Sequence, residues 1–193
     1  MSVNLAKGQQ ISLSKESGVP LAFVRMGLGW QAAPRKGFLG KLLGAPDIDL
    51  DASAVLFAGG QPVDVVYFNQ LTSTDGSVGH SGDNRTGSDG EGDDESITVD
   101  LVRVPVQIDQ IVFTVNSFTG ASFKEIETAY CRLIDETTGG ELARYTLGGG
   151  GGHTAQIMTK LHRTDGTWRM AAIGEPAFGR TFQDLLPAIV QHL

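Results

Sequence analysis

Short segments rich in β-branched and aromatic residues recur along the chain, and this pattern limits the possible folds more than any other feature of the sequence. Turn residues, chiefly Gly, Asp and Pro, separate these segments. Frequent turns between short strands favour an antiparallel β-sandwich over a parallel α/β sheet. The predicted strands are residues 22–28, 52–57, 63–68, 97–101, 108–115, 128–134, 141–147, 157–161 and 168–173.

Two turns and one helix can be placed within this pattern. Residues 164–167 read TDGT, and Gly166 suits the positive φ of a hairpin turn. Residues 137–140 read TTGG and predict a second hairpin. Apolar residues at helical spacing in 181–193 predict a short C-terminal helix, although Pro187 opposes a regular one. The 193 residues suffice for a single all-β domain over 1–193.

Residues 82–95 read GDNRTGSDGEGDDE and contain no apolar side chain, so they cannot form a core strand. Six carboxylates lie between Asp83 and Glu95, with Arg85 as the one base. Carboxylates at this density repel one another unless a cation neutralises them, and oxygen ligands on a flexible loop suit Ca²⁺ before Mg²⁺. Acidic, glycine-rich segments also occur as solvated linkers without a ligand. Charged and small residues alternate here, and residues 47–51 (DIDLD) add a second acidic cluster, which favours an acidic metal loop.

The two acidic segments together supply the predicted metal ligands. A straight strand would hold neighbouring aspartates of residues 47–51 about 7 Å apart, so this segment must bend, serve two ions or use only some of its carboxylates. We expect two neighbouring Ca²⁺ ions, because the acidic residues outnumber one shell of about six to eight oxygens. The predicted metal residues are Asp47, Asp49, Asp51, Asp83, Asn84, Arg85, Gly87, Asp89, Gly90, Asp93, Asp94 and Glu95, with Arg85, Gly87 and Gly90 offering backbone carbonyls.

Composition excludes several other classes of protein. A net charge of −7 and a pI of about 5.0 argue against a nucleic-acid surface. The sequence lacks both an apolar run of about 20 residues and the apolar core of a signal peptide, so we predict a cytoplasmic protein without a transmembrane segment. Cys131 is the single cysteine and lies in an apolar run, which predicts a buried thiol.

Residues 31–46 carry three basic side chains and several Gly and Pro, which predicts an exposed basic excursion. Its interleaved apolar side chains suit contact with an anionic membrane surface or a protein partner, although a plain surface loop has the same composition. The five glycines at 148–152 lack the lysine of a phosphate-binding loop and are interpreted as a connector.

An enzyme is the main alternative to a binding protein. Residues 49–53 read DLDAS and resemble the DxDx(T/S) loop of Mg²⁺-dependent phosphatases, with Asp49 and Asp51 as the reacting pair. That chemistry requires the end of an apolar parallel strand in an alternating α/β fold, which this sequence does not predict. A third class is a calcium-dependent binding module, in which the coordination of the ion stays open to solvent.

Seven segments along nearly the whole chain carry a resemblance to a known family: residues 3–8 (VNLAKG), 27–30 (GLGW), 47–53 (DIDLDAS), 67–70 (YFNQ), 82–87 (GDNRTG), 92–95 (GDDE) and 141–145 (ELARY). Together they resemble the tellurium-resistance TerD family. The resemblance implies a two-sheet β-sandwich that binds Ca²⁺ through its acidic loops and has no settled biochemical activity, and we predict a protein that is not an enzyme. It also implies a bacterial stress-response role in the cytoplasm, with protein partners that bring some members to the membrane surface. Ion binding is then expected to order the acidic loops and to create a partner-binding surface.

Overall fold

Two six-stranded sheets form the protein in a computed structural model that describes residues 2–15, 17–33, 48–84, 92–147 and 151–193. The strands follow the chain as β1 (Val3–Asn4), β2 (Gln10–Ser12), β3 (Phe23–Ala32), β4 (Leu50–Ala58), β5 (Gln61–Val66), β6 (Val78–His80), β7 (Glu95–Asp100), β8 (Gln110–Ser117), β9 (Ile126–Asp135), β10 (Gly140–Thr146), β11 (Ala155–Thr164) and β12 (Thr167–Ala177). The α-helix found among the described residues, α1 (Phe182–Ile189), lies near the C-terminus.

The two sheets have different strand orders. The first sheet is ordered β1-β10-β9-β3-β7-β6 and the second β2-β12-β11-β8-β4-β5. Neighbouring strands are antiparallel except for β1, which runs parallel to β10. The predicted antiparallel sandwich of two sheets is therefore confirmed, with one parallel pair at an edge.

Apolar side chains form two buried layers. The main core lies between the sheets and includes Leu28, Leu56 and Phe113. A second cluster covers the other face of the second sheet, where Val55 packs with Leu185 and other residues of α1. The period-2 alternation of strands explains this division, because successive side chains of β4 point to opposite faces.

The predicted turn and helix are confirmed. Asp165 and Gly166 have φ of 51° and 76° between the paired Thr164 and Thr167, as a two-residue hairpin turn of the I′ type requires. The helix ends at Ile189, and a 3₁₀ turn (Val190–His192) follows it. The predicted strands all coincide with observed ones, but β5 stops at Val66, so the last two residues of the predicted 63–68 strand lie beyond it.

The predicted basic excursion at 31–46 begins later than expected. Gln31 and Ala32 still pair with β9, so β3 continues through the first two residues of that range. Residues 34–46 lie outside the described residues. Near the end of β3, the Trp30 indole Nε1 donates a 2.9 Å hydrogen bond to the carbonyl of Ile48, just before β4 begins. This bond holds the chain that enters β4 against the first sheet.

We predict that Trp30→Phe lowers the free energy of unfolding by about 1–3 kcal/mol, because the buried Ile48 carbonyl loses its donor. Urea denaturation of the two proteins measures the difference. If the midpoint and slope stay unchanged, the indole bond contributes nothing to stability.

Candidate metal centre

Asp49, Asp51 and Asp83 form the one compact group of carboxylates found among the described residues that can hold a metal ion. Each offers an oxygen, and these oxygens lie within 4.8 Å of one another. Oxygens bound at 2.3–2.6 Å to opposite sides of one Ca²⁺ are separated by about 5 Å, so the spacing fits a common ion. Asp51 is only 3 % exposed, whereas Asp49 is half-buried and Asp83 is exposed.

The start of β4 explains why the first two carboxylates meet. Leu50 is the first residue to pair with β8, and Asp49 precedes it outside the strand. The carbonyl of Asp49 accepts a hydrogen bond from the Phe118 backbone N–H at 3.2 Å. This bond continues the register of the β4–β8 pair by one residue, so the side chains of Asp49 and Asp51, two residues apart, lie on the same face of the second sheet.

The surroundings of Asp51 disfavour its ionised form. Its pKa is raised to about 8, first by burial and then by the nearby charges of Asp49, Glu95 and Asp83 in that order. The Asn116 amide donates to Asp51 Oδ2 at 3.3 Å and opposes the shift. A divalent cation would reverse the imbalance, because a positive charge favours the ionised carboxylate.

Glu95 lies behind the cluster and connects the two sheets. Its carboxylate is 1 % exposed and accepts hydrogen bonds from the backbone N–H of Ala52 at 2.8 Å and of Asn84 at 3.1 Å. His80 Nδ1 accepts from the Gly82 N–H at 3.0 Å. In a neutral ring the other nitrogen, Nε2, then carries the proton, and it lies 3.2 Å from the Ala52 carbonyl.

Asp93 is held by two arginines. Arg25 Nη1 donates to Oδ2 at 2.5 Å and Arg132 Nε donates to Oδ1 at 2.6 Å. Gly27 leaves the space for this carboxylate, since a Cβ at that position would lie 2.2 Å from it. Tyr130 fixes the preceding residue by donating to the Gly92 carbonyl at 2.7 Å.

Asp94 continues the pairing of this segment with β3. Its backbone N–H donates to the Leu28 carbonyl at 2.8 Å, and its Oδ2 accepts from the Trp30 N–H at 2.9 Å. Its second oxygen, Oδ1, is buried and has no hydrogen-bond partner among the described residues. Asp94 can therefore still offer one oxygen to a cation.

The predicted metal residues thus fall into three groups, and their role as ligands stays a prediction. The structure brings together Asp49, Asp51 and Asp83. Outside that cluster, with hydrogen bonds to the protein, are Asn84, Asp93, Asp94 and Glu95. Outside the described residues are Asp47, Arg85, Gly87, Asp89 and Gly90.

A cavity of about 230 Å³ adjoins the cluster and was not predicted. The three carboxylates line it together with the rings of Phe68 and Phe118. Phe68 belongs to the YFNQ segment, but nothing in the sequence places Phe118 beside the acidic residues. An ion held by the three carboxylates would therefore face an open space on one side.

The phosphatase interpretation lacks its structural setting. Asp51 lies on β4, whose neighbours β5 and β8 are both antiparallel to it. The short hairpin connection from β4 to β5 leaves no helix after the DLDAS segment. Among the described residues around Asp49 and Asp51, the parallel strand followed by a helix, on which that chemistry depends, is absent.

We predict that the metal-free protein loses stability as the pH rises from about 4 to about 8. The Asp51 pKa is raised from 3.8 to about 8 on folding, so between these values the folded state holds a proton that the unfolded state has released. The contribution of one carboxyl is at most about 1.4 kcal/mol per pH unit. Denaturation with chelator at several pH values measures the slope, with Asp51→Asn as the control. Equal slopes for the two proteins would contradict the assignment to Asp51.

Comparison with known proteins agrees with this fold. The family model described as TerD domain matches residues 1–190. The chain is 48 % identical to tellurium resistance protein TerZ of Serratia marcescens over 97 % of each chain, and 37 % identical to stress response protein SCP2 of Bacillus subtilis over 98 % of this chain and 100 % of the relative.

A solved structure shows the same arrangement of strands. The crystal structure of a homologue of telluride resistance protein from Streptomyces coelicolor superimposes with a TM-score of 0.69 at 22 % identity, over 86 % of this chain and 95 % of that one. No helix among the described residues is long and apolar enough to cross a membrane. Because the family model covers nearly the whole chain, this protein belongs to the TerD family.

Proposed function

We propose that this chain is a non-enzymatic Ca²⁺-binding protein of a bacterial stress-response and tellurium-resistance system. Bound ion orders the acidic loops and so forms a surface for a protein partner. The observation that supports this function is the cluster of Asp49, Asp51 and Asp83, whose oxygens are spaced for one ion. Among the described residues that line the adjoining cavity, none is basic.

The donor set favours a hard cation. The cluster offers carboxylate oxygens without sulfur or imidazole, which suits Ca²⁺ or Mg²⁺ rather than a transition metal. Ca²⁺ accepts irregular arrangements of six to eight oxygens, whereas Mg²⁺ requires a near-ideal octahedron. An exposed Asp83 beside a buried Asp51 is an irregular arrangement, and water would complete the shell from the cavity. In this site the ion supplies positive charge, and Asp51 becomes ionised.

Both ends of the acidic loop are already fixed to the sandwich. At the start, Gly82 and Asn84 donate their backbone N–H groups to His80 and Glu95. At the end, Asp93 forms ion pairs with Arg25 and Arg132. An ion at Asp83 would therefore draw the loop towards β4 between two fixed points, and the free energy of binding would be used to order it.

We retain two ions per chain as part of the proposal. The described cluster accounts for one ion. Asp94, which has one buried oxygen without a hydrogen-bond partner among the described residues, offers a donor for the other. The number of ions is decided by the stoichiometry of binding.

The physiological part of the proposal follows the relatives. Two of them are named for tellurium resistance and stress response, and they match this chain over almost its full length. We infer a cytoplasmic protein that acts with protein partners of the same stress-response system, some of them at the membrane surface. Nucleic acid is disfavoured as a partner by the net charge of −7.

We predict that Asp83→Asn weakens Ca²⁺ binding about tenfold or more, because a charge-assisted ligand is lost from an exposed position that contributes little to folding. Isothermal titration with Mg²⁺ as competitor gives affinity, stoichiometry and selectivity. The matched control is Asp75→Asn, since Asp75 lies in a turn where its Oδ1 accepts from the Ser77 N–H at 2.7 Å. Equal losses in the two variants would reduce the effect to general electrostatics and contradict a site at Asp83.

We also predict that Ca²⁺ raises the melting temperature. At about a hundredfold excess over Kd, binding to the folded state alone stabilises it by about 2.7 kcal/mol. Scanning calorimetry with chelator and with saturating Ca²⁺ measures the shift, and the Asp83→Asn protein should show a smaller one. The same melting temperature in chelator and in Ca²⁺ would rule out the proposed function.

A further inference from the structure

A second cavity of about 230 Å³ lies beside the carboxylate cluster and shares Asp51, Phe68 and Phe118 with the first cavity. Its buried wall is formed by Asp51, Ser53 and Asn116. Asp51 and Asn116 lie opposite each other in the β4–β8 pair, so they occupy the same face of the second sheet. The first residues of α1 close another side of the cavity.

Four aromatic rings form a connected group around this cavity. Phe182, Tyr67, Phe68 and Phe118 contact one another in sequence, with ring centroids 5.1, 5.3 and 5.8 Å apart and steep interplanar angles. All four residues line the cavity. Phe118 is 47 % exposed, so one ring lies at the entrance rather than in the core. Aromatic faces carry partial negative charge and attract cations.

The buried polar groups of the wall accept hydrogen bonds. Asn116 is 2 % exposed, and its Nδ2 already donates to the Arg180 carbonyl at 2.6 Å and to Asp51. Its Oδ1 is buried and has no hydrogen-bond partner among the described residues, and the Asp51 carboxyl lies beside it. Among the described lining residues there is no lysine, arginine or histidine. An occupant that supplies donors and positive charge would therefore complement Asp51 and the Asn116 oxygen.

We propose that this cavity binds an alkylammonium group, either of a free primary amine or of a lysine side chain in a protein. The ammonium would donate to Asp51 and Asn116, and the alkyl chain would pack against the rings of Phe68 and Phe118. A cavity of about 230 Å³ is below the usual size for a drug-sized ligand, which suits a single side chain or a short amine. This inference goes beyond the proposed function and does not depend on bound Ca²⁺.

The test is a titration of the full-length protein with n-pentylamine in the presence of chelator, followed by the NMR shifts of the aromatic ring protons. We expect binding at about millimolar Kd, and n-pentanol, which has the same chain without the charge, should bind about tenfold more weakly or less. If the alcohol binds as tightly as the amine, the cavity is only an apolar pocket. If the amine causes no shifts, the cavity does not bind it. Either result overturns the proposal.

Three variants locate the site. Phe118→Leu should weaken amine binding several-fold, whereas Phe178→Leu should not, because Phe178 is 73 % exposed and lies outside this cavity. Asp51→Asn should weaken it about tenfold or more, because an amide NH₂ that can only donate replaces a carboxyl oxygen that can accept from the ammonium. Equal effects of the two phenylalanine variants would overturn the proposal. Phe118→Leu and Phe178→Leu both replace exposed rings, so neither substitution is expected to prevent folding.

Two further arms separate this inference from the proposed function and identify the source of the amine. Asp83 does not line this cavity, so Asp83→Asn should bind the amine normally even if Ca²⁺ binding is lost or was never present. A lysine with both backbone ends capped should bind as well as n-pentylamine if a protein is the source, and about tenfold more weakly if a free amine is. Loss of amine binding in Asp83→Asn would overturn the placement of the ammonium in this cavity.

Discussion

The buried carboxylate of Glu95 is the interaction on which the candidate site depends. It begins β7 in the first sheet, yet one of its oxygens accepts from Ala52 in β4 of the second sheet. The other oxygen accepts from Asn84, at the start of the acidic loop. One side chain thus fixes the distance between the sheets at this end and the starting point of the loop. A buried charge with two N–H donors is costly to disrupt, because either donor would be left unsatisfied.

The negative charges of Asp93 and Asp51 are balanced in different ways, and this difference separates the two parts of the site. Asp93 has an arginine on each carboxylate oxygen, so the protein itself neutralises it. Asp51 has the Asn116 amide but no basic partner among the described residues, and its pKa is raised to about 8. A bound cation would lower the pKa of Asp51, because a nearby positive charge stabilises the ionised carboxylate. The arginine-held end of the loop is therefore anchored by the protein itself, and binding at the Asp51 side stays a proposal.

Much of the fold could be predicted from the sequence, because it depends on local patterns. Residues 164–167 specify their own turn, and the alternating residues of β7 specify a strand with one buried face. The two- and three-residue strands β1, β2 and β6 could not be predicted, since pairing with longer strands rather than local propensity holds them.

The site was predictable only in part, for a related reason. Asp49, Asp51 and Asp83 were selected by composition, and the structure brings them together. The same composition could not separate them from Asp93 and Glu95, whose partners come from strands distant in the sequence. Nor could it indicate Asn116, which meets Asp51 through the register of β4 against β8. A contact between strands that are distant in the sequence cannot be predicted from a single sequence unless the residue types themselves indicate it.

The early end of β5 explains why both cavities occur at this end of the sandwich. β5 pairs with β4 only as far as Ala54, opposite Val66, so the first residues of β4 have a strand neighbour on one side alone. Side chains replace the missing strand: Glu95 accepts from the Ala52 N–H, and His80 lies within hydrogen-bond distance of its carbonyl. The chain that leaves β5 turns at Tyr67, and its aromatic rings lie beside the strand edge that β5 leaves unpaired.

An unpaired strand edge is a liability for a β-sandwich. Here polar and aromatic side chains cover the edge, and two adjoining cavities that share Asp51 lie among them. Cations in those two spaces would compete for the same carboxylate, so the geometry itself couples the ion to whatever occupies the aromatic cavity.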